Sequence, residues 1–496
     1  MTAVLVALYA PVTTARYGYS DDFHLFYMTD DCGAGLYRRA GRPVAALAQQ
    51  FLYGRIETLS SLGILRGFAV AGVVGLSSVF YLATRRLTPS PLPRAAFGLG
   101  LATLPPQQVM AAWASCWLYP AAAVLASLAA LVTMRAFAPG DVRGIGRAGR
   151  LAGAFLLVWI SLATYQPSAM WFWVVAMVCL LDGRFLTSRR YRRQVGWTIA
   201  AGLVFLAACF LLFKLYFLLA DVTPEGRYRF LSHPLTKSHA LVREQVPLAL
   251  NLWHLAEPAR KTGIILAAGA STLLILLGFL ASSARYLAEA AVREEPIQRW
   301  RVLAARAGLM LLVAACSHAH WLVIDENPIN YRVVAALTGS MLVAVFWAIL
   351  ELGRLIASDH GRQAVQIATA TILIALAVLL GSNHLHRYWI VPYTTGYRYV
   401  LDCLREQANE NTRHVHMIRQ SPEDGIVPQW IVYDFGRPLS HPPWVPNGLV
   451  RAALAELPRP PRIERITQGT AEEPAPRGPG ILVIDMRKLV NFRVGE

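Results

Sequence analysis

Apolar runs close to 20 residues long recur along this chain with short arginine-rich connections between them, and no other feature restricts its fold as severely. Such a run is long enough to cross a bilayer core of about 30 Å, where the backbone must satisfy its own hydrogen bonds. The runs are too long for membrane strands, which leaves helices. Charged residues make up 16% of the 496 positions and hydrophobic ones 55%. An ordinary soluble domain carries about 25% charged residues. The expected fold class is an all-α polytopic membrane protein.

Windows of helical length place spans near residues 2–15, 62–83, 95–104 running into 109–113, 117–135, 151–164, 168–181, 196–219, 262–281, 303–323, 333–351 and 365–381. Pro105 and Pro106 interrupt the third. The first is short for a bilayer, so either its helix sits high in the membrane or the natural start lies upstream of Met1. Eleven spans put the two termini on opposite sides. With the N-terminus inside, the inner connections hold Arg85, Arg86, Arg94, Arg135, Arg143, Arg147, Arg150 and the cluster from Arg184 to Arg193. The short outer connections "LPPQQ", "TYQPS" and "DENPINYR" hold only Arg332. Positive charge marks the cytoplasmic side, so the expectation is a bacterial inner-membrane protein with a cytoplasmic N-terminus and a periplasmic C-terminus. The net charge of +17 then reports topology, and nucleic acid is not an expected partner.

The outer face collects the unusual segments: a first loop over 13–61, a large loop over 220–261, and a tail. Residues 1–382 are expected to form the membrane domain and 383–496 a small α/β domain, with a helix in "YRYVLDCLREQ" and strands in "RHVHMI", "QWIVYDF" and "ILVIDM". In the first loop, Val44, Leu47, Ala48, Phe51 and Leu52 follow a proline at helical spacing. That helix either lies in the membrane interface or packs against the next spans. In the 220–261 loop, four basic residues mix with aromatics and histidines, which reads as a solvated surface or as a lid over an anionic lipid. The six cysteines show no metal-binding spacing, and a Cys32–Cys403 disulfide is conceivable if both face an oxidising compartment.

The stretch "RYGYSDDFHLFY", residues 16–27, carries two adjacent carboxylates directly after the first span. One reading is structural: Ser20 caps a helix, and Asp21 and Asp22 complement its dipole. The other is functional, because the pair lies at the bilayer surface on the same face as "PPQQ", "TYQPS", "SHAHW" and "NPINYR". Neighbouring helical residues diverge by about 100°, so the two carboxylates are expected to divide their work. One acts as base while the other orients it or holds a sugar hydroxyl.

"YSDDF" after a first span, followed by "GRPVAAL", a mid-membrane "YQPS" and a late outer "NYR", resembles the GT-C glycosyltransferase superfamily, and within it the type II O-antigen glucosyltransferase family. The likeness covers roughly residues 1–382. It implies a hexosyltransferase that takes a sugar from a polyprenyl-phosphate donor and attaches it to an envelope glycan or lipid-linked acceptor outside the membrane. It also implies that the catalytic base is Asp21 or Asp22, whereas His24 stands where a basic residue of another type is expected.

An inverting transfer needs a base at the acceptor hydroxyl and cationic or hydrogen-bonding groups on the departing phosphate. Arg332, His318, His320 and Lys214 are the candidates for the phosphate. Lys214 can equally snorkel to the interface, and the histidines can equally be packing residues. His24, Gln108, Tyr165 and Gln166 are the candidates for sugar or acceptor hydroxyls, with helix capping as the competing role for the two glutamines. A divalent metal could bind adjacent carboxylates, but no further acidic cluster completes a hard-cation shell, so no obligatory cofactor is expected. Two rival functions stay open: a lipid or solute transporter or flippase, and a ligase or polymerase of polyprenyl-linked oligosaccharides. Membrane lipids are expected partners in every case.

Overall fold

The computed structural model describes residues 1–27, 32–53, 55–56, 58–138, 145–220, 234–255, 261–290, 295–324, 329–356, 358–421, 434–435, 437–470 and 472–491. The chain begins with α1 (Thr2–Thr14), then three short helices, α2 (Asp21–Tyr27), α3 (Cys32–Arg39) and α4 (Pro43–Tyr53). There follow α5 (Leu62–Ala83), α6 (Pro91–Ala102), α7 (Pro105–Ala112), α8 (Tyr119–Ala136), α9 (Ile145–Thr164), α10 (Gln166–Ala169), α11 (Trp171–Leu181), α12 (Arg184–Thr187) and α13 (Arg189–Leu219). Next come α14 (Pro234–Ala240), α15 (Val246–Leu250), α16 (Lys261–Ala290), α17 (Pro296–Cys316), α18 (Ala319–Leu322), α19 (Ala335–Gly353) and α20 (Asp359–Leu385). The chain closes with α21 (Val391–Gln407), β1 (His414–Ile418), α22 (Val445–Ala455), β2 (Arg465–Gly469) and β3 (Ile481–Asp485).

Among the described residues, seven helical stretches are long and apolar enough to cross a membrane, and Thr2–Thr14 and Gln166–Leu181 are shorter apolar helices. The protein is a multi-pass helical membrane protein. Burial separates the central helices from the peripheral ones: the apolar stretch of α19 is 83% buried, that of α13 only 17%. A helix apolar all round and enclosed is core; α13, with Leu211, Leu215 and Leu218 exposed, is apolar toward the lipid. α16 packs on α19 at close range, since a Cβ on Gly278 would sit 2.4 Å from Ala348 Cα. Small residues at such crossings let two backbones approach.

The break between α6 and α7 leaves backbone groups unpaired inside the protein, and side chains take them up. Tyr9 Oη donates to Ala102 O at 2.6 Å and Gln108 Nε2 to Thr103 O at 2.5 Å, while Pro105 starts α7 at a position where no N–H is needed. In α4, Ala45, Ala46 and Gln49 are buried and Ala48 and Leu52 pack partly against the core, whereas Leu47 and Phe51 are 70% and 60% exposed. The apolar stripe is therefore split: Ala48 and Leu52 meet the protein, while Leu47 and Phe51 point away from it, as on a helix lying in the membrane interface.

α20 continues through a π-helical turn at His386–Ile390 into α21, so one helical rod of 49 residues runs from Asp359 to Gln407. Beyond it, β1 pairs in parallel with β2 on one side and β3 on the other. Val415 and Met417 of β1 face the helices, while His414 and His416 alternate to the other face. The strand expected at "QWIVYDF" falls mostly outside the described residues. Cys403 is a free cysteine, which excludes a bridge to Cys32.

Candidate active site

The link from α1 to α2 is fixed by three side chains. Arg66 of α5 is wholly buried and donates to Val12 O at 3.1 Å, Ala15 O at 3.0 Å and Tyr17 O. Val12 O and Ala15 O lie at the end of α1, where carbonyls lack partners within the helix, and Tyr17 O lies in the link beyond it. Tyr17 Oη donates to Ala112 O at 2.9 Å. The Tyr19 ring is wedged among Trp113, Trp389 and Tyr393, with centroids 4.7, 4.8 and 4.9 Å away. Ser20 then turns the chain with a φ of 43°, a left-handed conformation that costs a non-glycine residue about 1–2 kcal/mol.

Ser20 does not cap α2 in the expected way. An N-cap is extended and accepts from the helix; Ser20 is left-handed, and its hydroxyl donates to Asp21 Oδ1 at 3.3 Å. Asp22 closes the helix start instead. Its Oδ2 accepts Tyr19 N–H at 3.1 Å, and its Oδ1 accepts Ser115 N–H at 2.8 Å, which ties α2 to the turn at 114–116. Burial lifts the Asp22 carboxyl to about 7, against the pull of Arg66 and of the two N–H donors. Asp21 is partly exposed and lines the main cavity. The adjacent carboxylates thus occupy different environments, one enclosed by backbone donors and the other facing open space.

The main cavity has a volume of about 700 Å³. Asp21, Arg42, Tyr165, Gln166, His320 and Arg332 form its polar part, and Leu203, Leu206, Phe210, Phe213 and Phe217 of α13 form an apolar wall. Arg42 donates from Nε to Gln166 Oε1 at 3.1 Å and from Nη1 to Tyr119 Oη at 3.3 Å, with its guanidinium 4.8 Å over the Tyr165 ring. Tyr165 stacks flat on Tyr119, 3.6 Å between centroids. Gln166 Nε2 donates to Ala40 O and Gly41 O at 3.0 and 3.1 Å, which fixes the loop that presents Arg42. Arg332 lies 4.0 Å over the Trp113 ring and pairs with Asp434, Nε to Oδ1 at 3.4 Å. Asp434 Oδ2 also accepts Arg332 N–H at 3.2 Å. Burial raises the Asp434 carboxyl, and Arg332 opposes that shift.

The other residues singled out from sequence scatter. His318 is buried against Trp321, 5.3 Å between ring centroids, and does not line the cavity, whereas His320 does. Neither imidazole has a hydrogen-bond partner among the described residues. Burial pushes both below the ordinary histidine range, His318 to about 3, with Lys237 adding to the shift. Burial thus favours the neutral imidazole at both, which serves a phosphate as a hydrogen-bond donor rather than as a cation. Lys214 is exposed, with its ammonium 5.1 Å from the Phe210 ring, and is not part of the cavity wall. Gln108 is buried at the α6–α7 break, and His24 lines a separate cavity. Sequence reasoning missed Arg42 and Asp434. Arg42 stands in the quoted "GRPVAAL"; Asp434 gave no signal, since its partner is 102 residues away.

A family profile described as "Glucosyl transferase GtrII" matches residues 14–293, a segment that includes α2, Arg42, Tyr165 and the whole of α13. This chain belongs to the GtrII glucosyl transferase family. It is accordingly a membrane glycosyltransferase. Among solved structures, it is similar to ArnT from Cupriavidus metallidurans in the apo state, with 12% identity and a TM-score of 0.37 over 84% of this chain and 81% of that one. It is also similar to the same ArnT bound to undecaprenyl phosphate, with 12% identity and a TM-score of 0.39 over 94% and 88%. No curated protein sequence matches it.

Proposed function

We propose that this GtrII-family enzyme transfers one hexose, glucose by the family's name, from a polyprenyl-phosphate donor to an envelope glycan on the outer face. The single observation behind this reading is the composition of the main cavity. One carboxylate and two guanidiniums share its polar part, and an apolar wall runs from there along the lipid-facing helix α13. A charged phosphate on a long hydrocarbon tail requires that combination. Arg42 and Arg332 hold the phosphate through charge-assisted hydrogen bonds, and the isoprenoid lies along Leu206, Phe210 and Phe217.

Asp21 is the base in an inverting displacement. It takes the proton of an acceptor hydroxyl as that oxygen bonds to the anomeric carbon from the side opposite the phosphate. The bond from the anomeric carbon to the phosphate oxygen breaks, and its electron pair stays on the polyprenyl phosphate, where the two guanidiniums stabilise it. With both cations in place the chemistry needs no divalent metal. The arginine distribution supports a cytoplasmic N-terminus and a periplasmic site, and the resemblance to O-antigen enzymes points to lipopolysaccharide as the acceptor.

The test is transfer of labelled glucose by the purified protein, from polyprenyl-phosphate glucose to envelope glycans of cells lacking the gene. One added hexose, with chelator present, is the expected product. Translocation of the intact lipid across a liposome without transfer, or transfer of a whole oligosaccharide, overturns the reading.

A further inference from the structure

A second cavity, of about 340 Å³, opens where α2 meets the C-terminal layer. That volume lies at the small end of the range for small-molecule sites. Its polar lining consists of His24 from α2, Asn447 and Arg451 from α22, and Thr467 and Gln468 from β2, with Trp444 at the start of α22. Trp444 is 42% exposed, so part of its ring is open to a ligand. Asn447, Arg451 and Gln468 are exposed around it. Thr467 Oγ1 is held by His414 Nε2 at 2.6 Å and by His416 Nδ1 at 2.8 Å, which fixes the strand that forms the floor.

An indole face ringed by amide, guanidinium and imidazole groups is suited to a pyranose. The C–H face of the sugar packs on the ring, and the hydroxyls around its edge bond the polar groups. Location then separates the two cavities by task. His24 and Asp21 are three residues apart on α2, about 4.5 Å along its axis, yet they line different cavities. The layer that carries Trp444 is held tightly to α2: a Cβ on Gly448 would come 2.5 Å from the Phe23 carbonyl oxygen. Only glycine lets α22 reach α2 backbone to backbone.

We infer that this second cavity is an acceptor subsite, binding a saccharide unit of the envelope glycan with Trp444 as its platform and Arg451, Asn447, Gln468 and His24 as hydroxyl partners. Its role in transfer rests on the function proposed above, but its occupancy by sugar does not. A saccharide seated here lies within one helical turn of Asp21, in a cavity separate from the one whose wall is assigned to the lipid.

Saccharides released by mild acid from the envelope of cells lacking the gene, titrated into the purified full-length protein in detergent, test this directly, with saturation-transfer NMR as the readout. Trp444→Ala and Arg451→Ala are each expected to weaken binding on the order of tenfold, while Trp444→Phe keeps it within about threefold because a ring face remains. Arg405→Ala, exposed on α21 away from the cavity, binds as the wild type does, and melting curves confirm that each variant is folded. Wild-type protein that binds no saccharide, or two alanine variants that bind as tightly as wild type, overturns the inference. Glucose transfer is measured in parallel. Binding through Trp444 without any transfer sinks the transfer reading and leaves the subsite standing, whereas transfer with unaffected binding in both variants sinks the subsite alone.

Discussion

Changing Asp21 and Asp22 to asparagine one at a time separates chemistry from architecture, because the two side chains differ in what they touch. Asp21 faces the main cavity, and its hydrogen bond from Ser20 Oγ is long at 3.3 Å. An amide there costs little stability, within about 0.5 kcal/mol for a side chain free of such features. It cannot take a proton, however, and a general base contributes roughly 10²–10⁴-fold, or about 3–5 kcal/mol of barrier. Asp22 uses both oxygens, each for one N–H. Asparagine offers a single carbonyl, so one backbone donor meets an NH₂ group in a buried site, at a cost of about 1–3 kcal/mol. The expectation is that Asp21→Asn melts like wild type and loses nearly all transfer, while Asp22→Asn, compared below pH 7 where wild-type Asp22 is spared the cost of a buried charge, melts earlier and keeps activity in proportion to the folded fraction. The assay pairs initial rates of labelled-glucose transfer with melting curves in the same detergent. An active Asp21→Asn, or an inactive Asp22→Asn of undiminished stability, refutes this division of roles.

Arg332→Lys keeps the charge but loses the stack on Trp113 and the planar fork that serves Asp434 and a phosphate together; donor kcat/KM is expected to fall on the order of 10–100-fold, measured by varying donor concentration, and a near-normal value removes Arg332 from the phosphate site. Stability should depend on pH through Asp22: its folded carboxyl, lifted to about 7 from 3.8, binds a proton more tightly than the unfolded one, so its contribution is full below 3.8 and is lost as pH rises through 7. Melting temperature should therefore drop from pH 5 to pH 8 in wild type, by less in Asp22→Asn, and equal slopes in the two proteins exclude the assignment.

The helical membrane class was legible because apolar runs of this length admit few other structures, and Asp21, Tyr165, Gln166, His320 and Arg332 were singled out from sequence and meet at one cavity. What sequence could not supply is the partner of each polar group. Gln108 and Gln166 both sit within two residues of a proline near a helix break, yet one turns back on Thr103 and the other reaches across to the loop carrying Arg42. Arg42 looks like any surface arginine until Tyr119 and Gln166, 77 and 124 residues away, are brought to it. Lys214 and His318 show the converse. Residue type suggested a charged site, but exposure on a lipid-facing helix in one case and enclosure in the other decide differently.

The buried carboxylate explains how the exposed one can be placed at all. α2 has seven residues, far below the roughly 12–15 that an isolated helix needs to persist in water, so its position must come from tertiary bonds. Arg66 pins the end of α1, Tyr19 is locked among three rings, and Asp22 fastens the first turn of α2 to Ser115. Each bond lies within a few residues of Asp21, and the left-handed Ser20 joins them at the cost of local strain. Asp21 itself is left with one weak contact and an open side. A frame that carries the strain and the desolvation on Asp22 holds its neighbour in place without enclosing it, which is what a base needs if it is to receive a proton from a mobile acceptor.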